Sequence, residues 1–214
     1  MKNTFFGSGV ALVTPFNSDN SIDFDGLKKL VHYQIENGTD FLVVQGTTGE
    51  SPALSKSEKL EVLKTVQEVN NGRVKIVFGV GGNNTLEVGS FLKELPAGID
   101  GVLSVSPYYN KPSQKGIIEH FKYLSGCTNL PIILYNVPGR TGSNVSAETT
   151  LKLSEFKNIV AVKEASGNMD QIMEIIRCKS ADFNVLSGDD PITVPLISCG
   201  ASGVISVVSN ALPE

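Results

Sequence analysis

The sequence predicts an α/β protein, a (β/α)8 barrel. Three observations carry this. Eight short apolar runs each have the length of a buried strand, stretches with three- and four-residue apolar spacing lie between them, and polar residues collect at the C-terminal ends of the runs. The runs are residues 9–14, 41–45, 75–80, 101–105, 132–136, 159–163, 184–187 and 203–208. Such near-continuous apolar strands belong to a parallel sheet covered on its outer face, and closure into a cylinder is the simplest way to cover both faces. An open doubly wound sheet is the alternative. The turn after the first run lacks the Gly-x-Gly-x-x-Gly pattern of dinucleotide folds, which weighs against it.

Taken in order, the first run leads to a helix marked by Leu27, Leu30, Val31 and Ile35. The second run ends in Gly46-Thr47-Thr48-Gly49-Glu50-Ser51, and Ser55 with Glu58 forms a capping box for the next helix. The fourth is followed by Ser106-Pro107-Tyr108-Tyr109-Asn110-Lys111-Pro112, a proline-braced loop carrying two tyrosines. The fifth runs into Tyr135-Asn136-Val137-Pro138-Gly139-Arg140. After the sixth, Asn168 suits an N-cap before Met169, Ile172, Met173 and Ile176. Thr14, Thr47, Thr48, Ser106, Tyr135, Asn136, Lys163, Glu164, Ser187 and Asp189 stand at strand C-terminal ends, where barrels place their chemistry. Only residues 209–214 follow the eighth run. The expectation is one domain, 1–214, a truncated barrel lacking the eighth helix and any C-terminal helical domain, short of the roughly 250 residues typical of the fold. A helix covering about 400 Å² of apolar surface is worth on the order of 10 kcal/mol, so low stability is expected of the chain alone.

Composition narrows the function. With 214 residues, 41% hydrophobic, 19% charged and a net charge of −4, the sequence offers no basic face for nucleic acid. It shows no signal peptide and no membrane-spanning window, and a cytoplasmic location is expected. Cys127, Cys178 and Cys199 lack disulfide or thiolate-metal spacing and read as buried small apolar residues. His32 and His120 each stand alone, which argues against a transition-metal centre and leaves them surface or packing residues. No cofactor is implied. An enzyme of carbonyl chemistry built this way needs another electrophile, and a protonated imine on lysine is the usual one.

Lys163 is the candidate for that role. It ends the apolar run Ile159-Val160-Ala161-Val162-Lys163, where a period of two puts Ala161 and Ala165 beside it and Val160 and Val162 opposite. Burial disfavours the ammonium form, and a neutral amine attacks carbonyls. The alternative is a strand-ending lysine that reaches out to water. The other motifs are equally two-sided. The Thr47-Thr48 loop reads as a carboxylate cradle or a plain glycine turn, Tyr108 and Tyr109 as interface, proton relay or packing, and Arg140 as a carboxylate clamp or a solvated loop residue.

In order, GTTGES, SPYYNKPSQ, LYNVPGRTG, VKEASGN, LSGDD and GVISV resemble the motifs of the dihydrodipicolinate synthase family, from the first strand to the eighth. The resemblance implies a lyase that condenses pyruvate with L-aspartate 4-semialdehyde through a lysine Schiff base, in lysine and diaminopimelate biosynthesis. It implies Lys163 as the Schiff-base lysine, Tyr135 as the general acid/base, and Thr47 with Tyr109 as the rest of a hydroxyl relay, Tyr109 coming from a neighbouring subunit. Thr48 and the backbone of Ile205 would hold pyruvate, Gly188 would line the pocket, and Arg140 would bind the semialdehyde carboxylate. A homodimer or homotetramer is implied, with neither nucleic acid nor membrane as partner. Ser51, Asn83, Glu87 and Tyr108 resemble parts of the family's lysine-feedback pocket. Lys56 and Lys59 depart from it, standing where inhibitable members often carry histidine, so weak or absent feedback is expected. Two rivals stay open: another Schiff-base keto-acid aldolase such as N-acetylneuraminate lyase, and a non-catalytic carboxylate-binding barrel.

Overall fold

Eight parallel strands close on themselves, because β1 (Gly7–Ala11) pairs with both β2 (Phe41–Val44) and β8 (Gly203–Ser206). The structure is a computed structural model and describes residues 5–214. Between β1 and β2 lies α1 (Phe24–Glu36), then α2 (Lys56–Asn70), β3 (Lys75–Gly79), α3 (Thr85–Lys93), β4 (Gly101–Val105), α4 (Gln114–Ser125) and β5 (Ile132–Asn136). There follow α5 (Pro138–Thr141), α6 (Ala147–Leu153), β6 (Ile159–Glu164), α7 (Met169–Cys178), β7 (Asn184–Ser187) and α8 (Thr193–Ser198), with β8 last. The (β/α)8 barrel read from the sequence is the observed fold.

Side-chain alternation splits the apolar residues into two layers. Phe41, Val43, Val77, Leu103, Ile133 and Leu186 fill the barrel interior, while Leu42, Ile76, Phe78, Val102, Leu134 and Val185 face the helices. Local signals set the helix starts. Asp23, Ser55, Asn84, Ser113, Ser146 and Asn168 each accept a backbone N–H of the following turn, and Ser55 with Glu58 makes the full capping box.

Several expectations need correction. The sixth strand does not alternate cleanly: a register shift opposite Ile132 and Ile133 brings Val160 into the interior cluster beside Ala161, although the sequence period set it opposite. On α7 the buried stripe is Ile172 and Ile175, and Met173 is exposed. The cysteines are not buried: Cys127 is half-buried, and Cys178 and Cys199 are exposed, because they fall at or just past helix ends, where the surface begins. β1 and β8 are shorter than their apolar runs. Beyond Ala11, the Val13 N–H is taken by the Asn210 side-chain oxygen (3.1 Å) while the Asn210 amide donates to the Ala11 carbonyl (2.8 Å). The backbone turns at Val207 into a 3-10 turn, Val208–Asn210, and Gln34 of α1 donates to the Ser209 carbonyl (2.7 Å). The residues after β8 thus fasten the seam where the cylinder closes.

Candidate active site

The C-terminal ends of β5 and β6 are in register, Tyr135 opposite Lys163 and Asn136 opposite Glu164. The period of two then sorts them. Lys163 and Tyr135 point into the barrel, whereas Asn136 and Glu164 point outward, toward α7. Only the first pair belongs to the mouth, although all four were expected there.

Lys163 is 4% exposed, and its Nζ lies 4.6 Å from the centroid of the Tyr135 ring. Burial pushes the amine down to about 8; the negative charge of Asp190 works against this and the positive charge of Arg140 adds to it. The Tyr135 phenol is shifted the other way. Burial raises it, while hydrogen bonding with the Thr47 side chain and the charge of Arg140 pull it down. Around the lysine stem the walls are small: a Cβ on Gly188 would come within 2.9 Å of both Cγ and Cε of Lys163 and of the Ala165 methyl. Glycine is therefore required at 188 for packing, since any side chain would displace the lysine.

A cavity of about 400 Å³ opens beside Tyr135, with Gln45, Thr47, Val105, Tyr108 and Arg140 also on its wall; Lys163, Thr48, Gly188 and Ile205 do not line it. Thr47 is exposed in a 3-10 turn, Thr47–Gly49, with Thr48 half-buried next to it. That turn uses the Gly49 and Glu50 N–H groups internally, on the Gly46 and Thr47 carbonyls, so two of the loop amides expected to meet a carboxylate are already occupied. Arg140 is exposed on α5 at the rim. Ile205 is buried in β8 just past the last β7 partner, Val204. Tyr109 is not brought to the cluster by its own chain: it is 84% exposed, with a left-handed backbone (φ 71°). A larger concavity, about 810 Å³, lies at the opposite end of the barrel around Arg73 and Asp100. Its polar groups hold the fold, Asp100 accepting from the Ile76 N–H and Arg73 donating to the Val69 and Asn70 carbonyls. Among the described residues no three potential metal ligands stand together, and no helix is long and apolar enough to cross a membrane.

Sequence reading missed one residue of this region and misplaced another. Asp190 is the carboxylate whose charge reaches Lys163, and only the doublet Asp189-Asp190 hinted at it. Glu164 was placed at the mouth, but its carboxylate accepts hydrogen bonds from Asn136 (2.8 Å), Gln171 (2.9 Å) and the Ser166 N–H (3.2 Å) behind the strand.

Fold and site together define a parallel (β/α)8 barrel with a dry amine and a phenol at its C-terminal mouth. The chain belongs to the dihydrodipicolinate synthetase family, whose model matches residues 4–214. It is 57% identical to the 4-hydroxy-tetrahydrodipicolinate synthase of Parabacteroides distasonis over 210 residues, 97% of this chain and 71% of that protein. Among solved structures it is similar to dihydrodipicolinate synthase DapA-2 of Bacillus anthracis, with a TM-score of 0.94 and 45% identity over 98% of this chain and 72% of that one. It is also similar to the chloride-inhibited dihydrodipicolinate synthase of Acinetobacter baumannii complexed with pyruvate, with a TM-score of 0.94, 43% identity and the same coverage of both chains.

Proposed function

We propose that this protein condenses pyruvate with L-aspartate 4-semialdehyde to 4-hydroxy-tetrahydrodipicolinate, a lyase-type step of lysine and diaminopimelate biosynthesis, with Lys163 as the covalent centre. The observation that carries the assignment of Lys163 is an amine held dry, with its basicity lowered to about 8, against the Tyr135 ring. Near neutral pH about a tenth of such an amine is uncharged, against less than about a thousandth for an ordinary lysine. Its lone pair attacks the pyruvate ketone, water leaves, and the protonated imine acidifies the adjacent methyl group. Loss of a methyl proton gives an enamine. Its carbon attacks the semialdehyde, whose amine then displaces Lys163 and closes the ring.

Tyr135 and Thr47 suit the proton transfers, because each hydroxyl both donates and accepts. In this reading Tyr109, exposed on its loop, completes the relay of a second copy of the chain. In this reading Thr48 and the Ile205 backbone hold the keto acid, the bare backbone at Gly188 leaves the lysine room, and Arg140, on the cavity wall, takes the carboxylate of the semialdehyde. Borohydride reduction with pyruvate, followed by peptide mass analysis, tests the centre: an adduct on Lys163 is expected, and its absence would defeat the assignment. Product formation from aspartate semialdehyde, and none from sugar acids, separates this activity from that of a sialic-acid-type aldolase.

A further inference from the structure

We propose that Glu164 is the positioning residue of the carboxylate clamp: one oxygen of its carboxylate engages each end of the turn that carries Arg140, which fixes the arginine relative to Lys163 and so sets the affinity for the second substrate, the semialdehyde. The inference deepens the proposed function and rests on it. Glu164 is fully buried and follows Lys163 directly in the chain, yet no step of the condensation uses it. Its hydrogen-bond partners give it a task.

Arg140 stands on α5, a single turn closed on itself: the Arg140 and Thr141 N–H groups both donate to the Val137 carbonyl (2.9 and 3.0 Å), and the Gly142 N–H donates to the Pro138 carbonyl (2.9 Å). The place of such a turn is set by the segments at its two ends. At the first end, the Asn136 amide donates to Glu164 Oε1 (2.8 Å) and to the Asn144 side-chain oxygen (2.8 Å), while its own oxygen accepts from the Val145 N–H (3.0 Å). At the second, Glu164 Oε2 accepts from the Gln171 amide (2.9 Å), which also donates to the Val145 carbonyl (3.2 Å) and whose oxygen takes the Asn144 amide (2.7 Å). The carboxylate thus ties Asn136, before the turn, to Asn144 and Val145, after it. The outer side of the turn meets the Tyr109 loop, where the Tyr109 N–H donates to the Thr141 carbonyl (3.3 Å) and the Lys111 stem lies over Gly142.

The nucleophile does not depend on this staple. Lys163 and Tyr135 are held opposite each other by strand register, and beyond them the Ala165 N–H donates to the Asn136 carbonyl (2.9 Å) and the Gly188 N–H to the Glu164 carbonyl (2.8 Å), backbone bonds in which the Glu164 side chain has no part. Loosening the carboxylate therefore leaves imine formation in place and frees the arginine, whose planar fork meets a carboxylate in one geometry. An amide at position 164 does this without emptying the site. Whichever way it is turned, its NH2 group faces the amide of Asn136 or of Gln171, donor against donor, and one end of the turn is released.

The experiment is steady-state kinetics of Glu164→Gln on the full chain, with the rate of borohydride trapping of pyruvate on Lys163 measured beside it. For E164Q the KM for the semialdehyde is expected to rise about tenfold, while trapping per folded site stays within about twofold of the wild type. A merely structural fault lowers the folded fraction and moves neither quantity. In an Arg140→Ala background, where that KM is already raised, E164Q should raise it no further, because the staple acts through the arginine. Asn144→Ala, at the exposed edge of the network, repeats each measurement if E164Q does not fold. A semialdehyde KM unchanged in the folded variant, a loss of trapping as large as the rise in KM, or increases that multiply in the double variant would overturn the proposal. Failure of the wild type to form product from the semialdehyde would instead remove the proposed function, and this inference with it.

Discussion

Lys163 and Glu164 are adjacent, both buried and oppositely surrounded. Both are charged residues buried at the end of β6, on its two faces. Behind the strand, Glu164 meets three hydrogen-bond donors from β5, the following loop and α7, so the cost of its burial is offset by partners, although burial still raises its pKa above the usual carboxylate value. Inside the barrel, Lys163 has an aromatic face and small apolar neighbours, and among the described residues no hydrogen-bond acceptor holds its ammonium in place of water. Burial alone does not make a residue reactive. Buried with hydrogen-bond partners, such a group fastens the fold; buried without them, as Lys163 is among the described residues, it is free to react.

The sharpest way to break this comparison is to substitute each neighbour. Lys163→Met should abolish turnover by several orders of magnitude, as loss of a covalent nucleophile does. It should also stabilise the protein. The folded-state pKa of about 8 lies below the unfolded value of 10.5, so at neutral pH folding is opposed by an amine that would bind its proton more tightly in the unfolded chain. In thermodynamic terms this is about 3 kcal/mol. The sign is checkable by pH. Between about 8 and 10.5 the unfolded state binds more protons, so wild-type stability should rise with pH through that window and the advantage of K163M should fade. Denaturant midpoints at pH 7 and pH 10 measure it. Equal midpoints at pH 7 would mean that the lysine reaches water.

Glu164→Ala should do the reverse, destabilising by about 2 to 4 kcal/mol because the Asn136 and Gln171 amides lose their acceptor in a dry site. Glu164→Gln should cost about 1 to 3 kcal/mol, since either orientation of its amide sets a donor against a donor. Urea titration reads both. A harmless E164Q would show that the network is wetter than its geometry implies. Tyr135→Phe removes the phenol but keeps the ring against the amine. It should lower kcat by about 10² to 10³ while leaving Lys163 open to trapping, which separates proton transfer from nucleophilic attack.

The smallest expected effect concerns feedback. Lys59 lies on the wall of the cavity with Ser51 and Tyr108, and burial lowers its pKa. Lys56, expected to add a second repelling charge, is paired with Glu94 and rests over Phe91. The expected repulsion of free lysine would therefore fall to Lys59. Inhibition by lysine should be weak, and Lys59→Ala should strengthen it several-fold; micromolar inhibition of the wild type would contradict this.

Much of this molecule was legible in one dimension. The eight apolar runs, the capping residues Ser55, Glu58 and Asn168, and a lysine closing an apolar run are local patterns, and periodicity together with hydrogen-bonding chemistry fixes what such patterns become. They determined the barrel and pointed to Lys163. Other features depended on which residues meet across the closed sheet. The register shift at Ile132 and Ile133 brought Val160 inside, Asn210 fastened the β1 seam from some two hundred residues away, and the charge of Asp190, in the loop after β7, came to act on Lys163. No local propensity encodes such meetings, because they follow from the geometry of closure. Tertiary structure alone decided that, of two adjacent charged residues, the one facing the barrel interior would have no hydrogen-bond acceptor among the described residues.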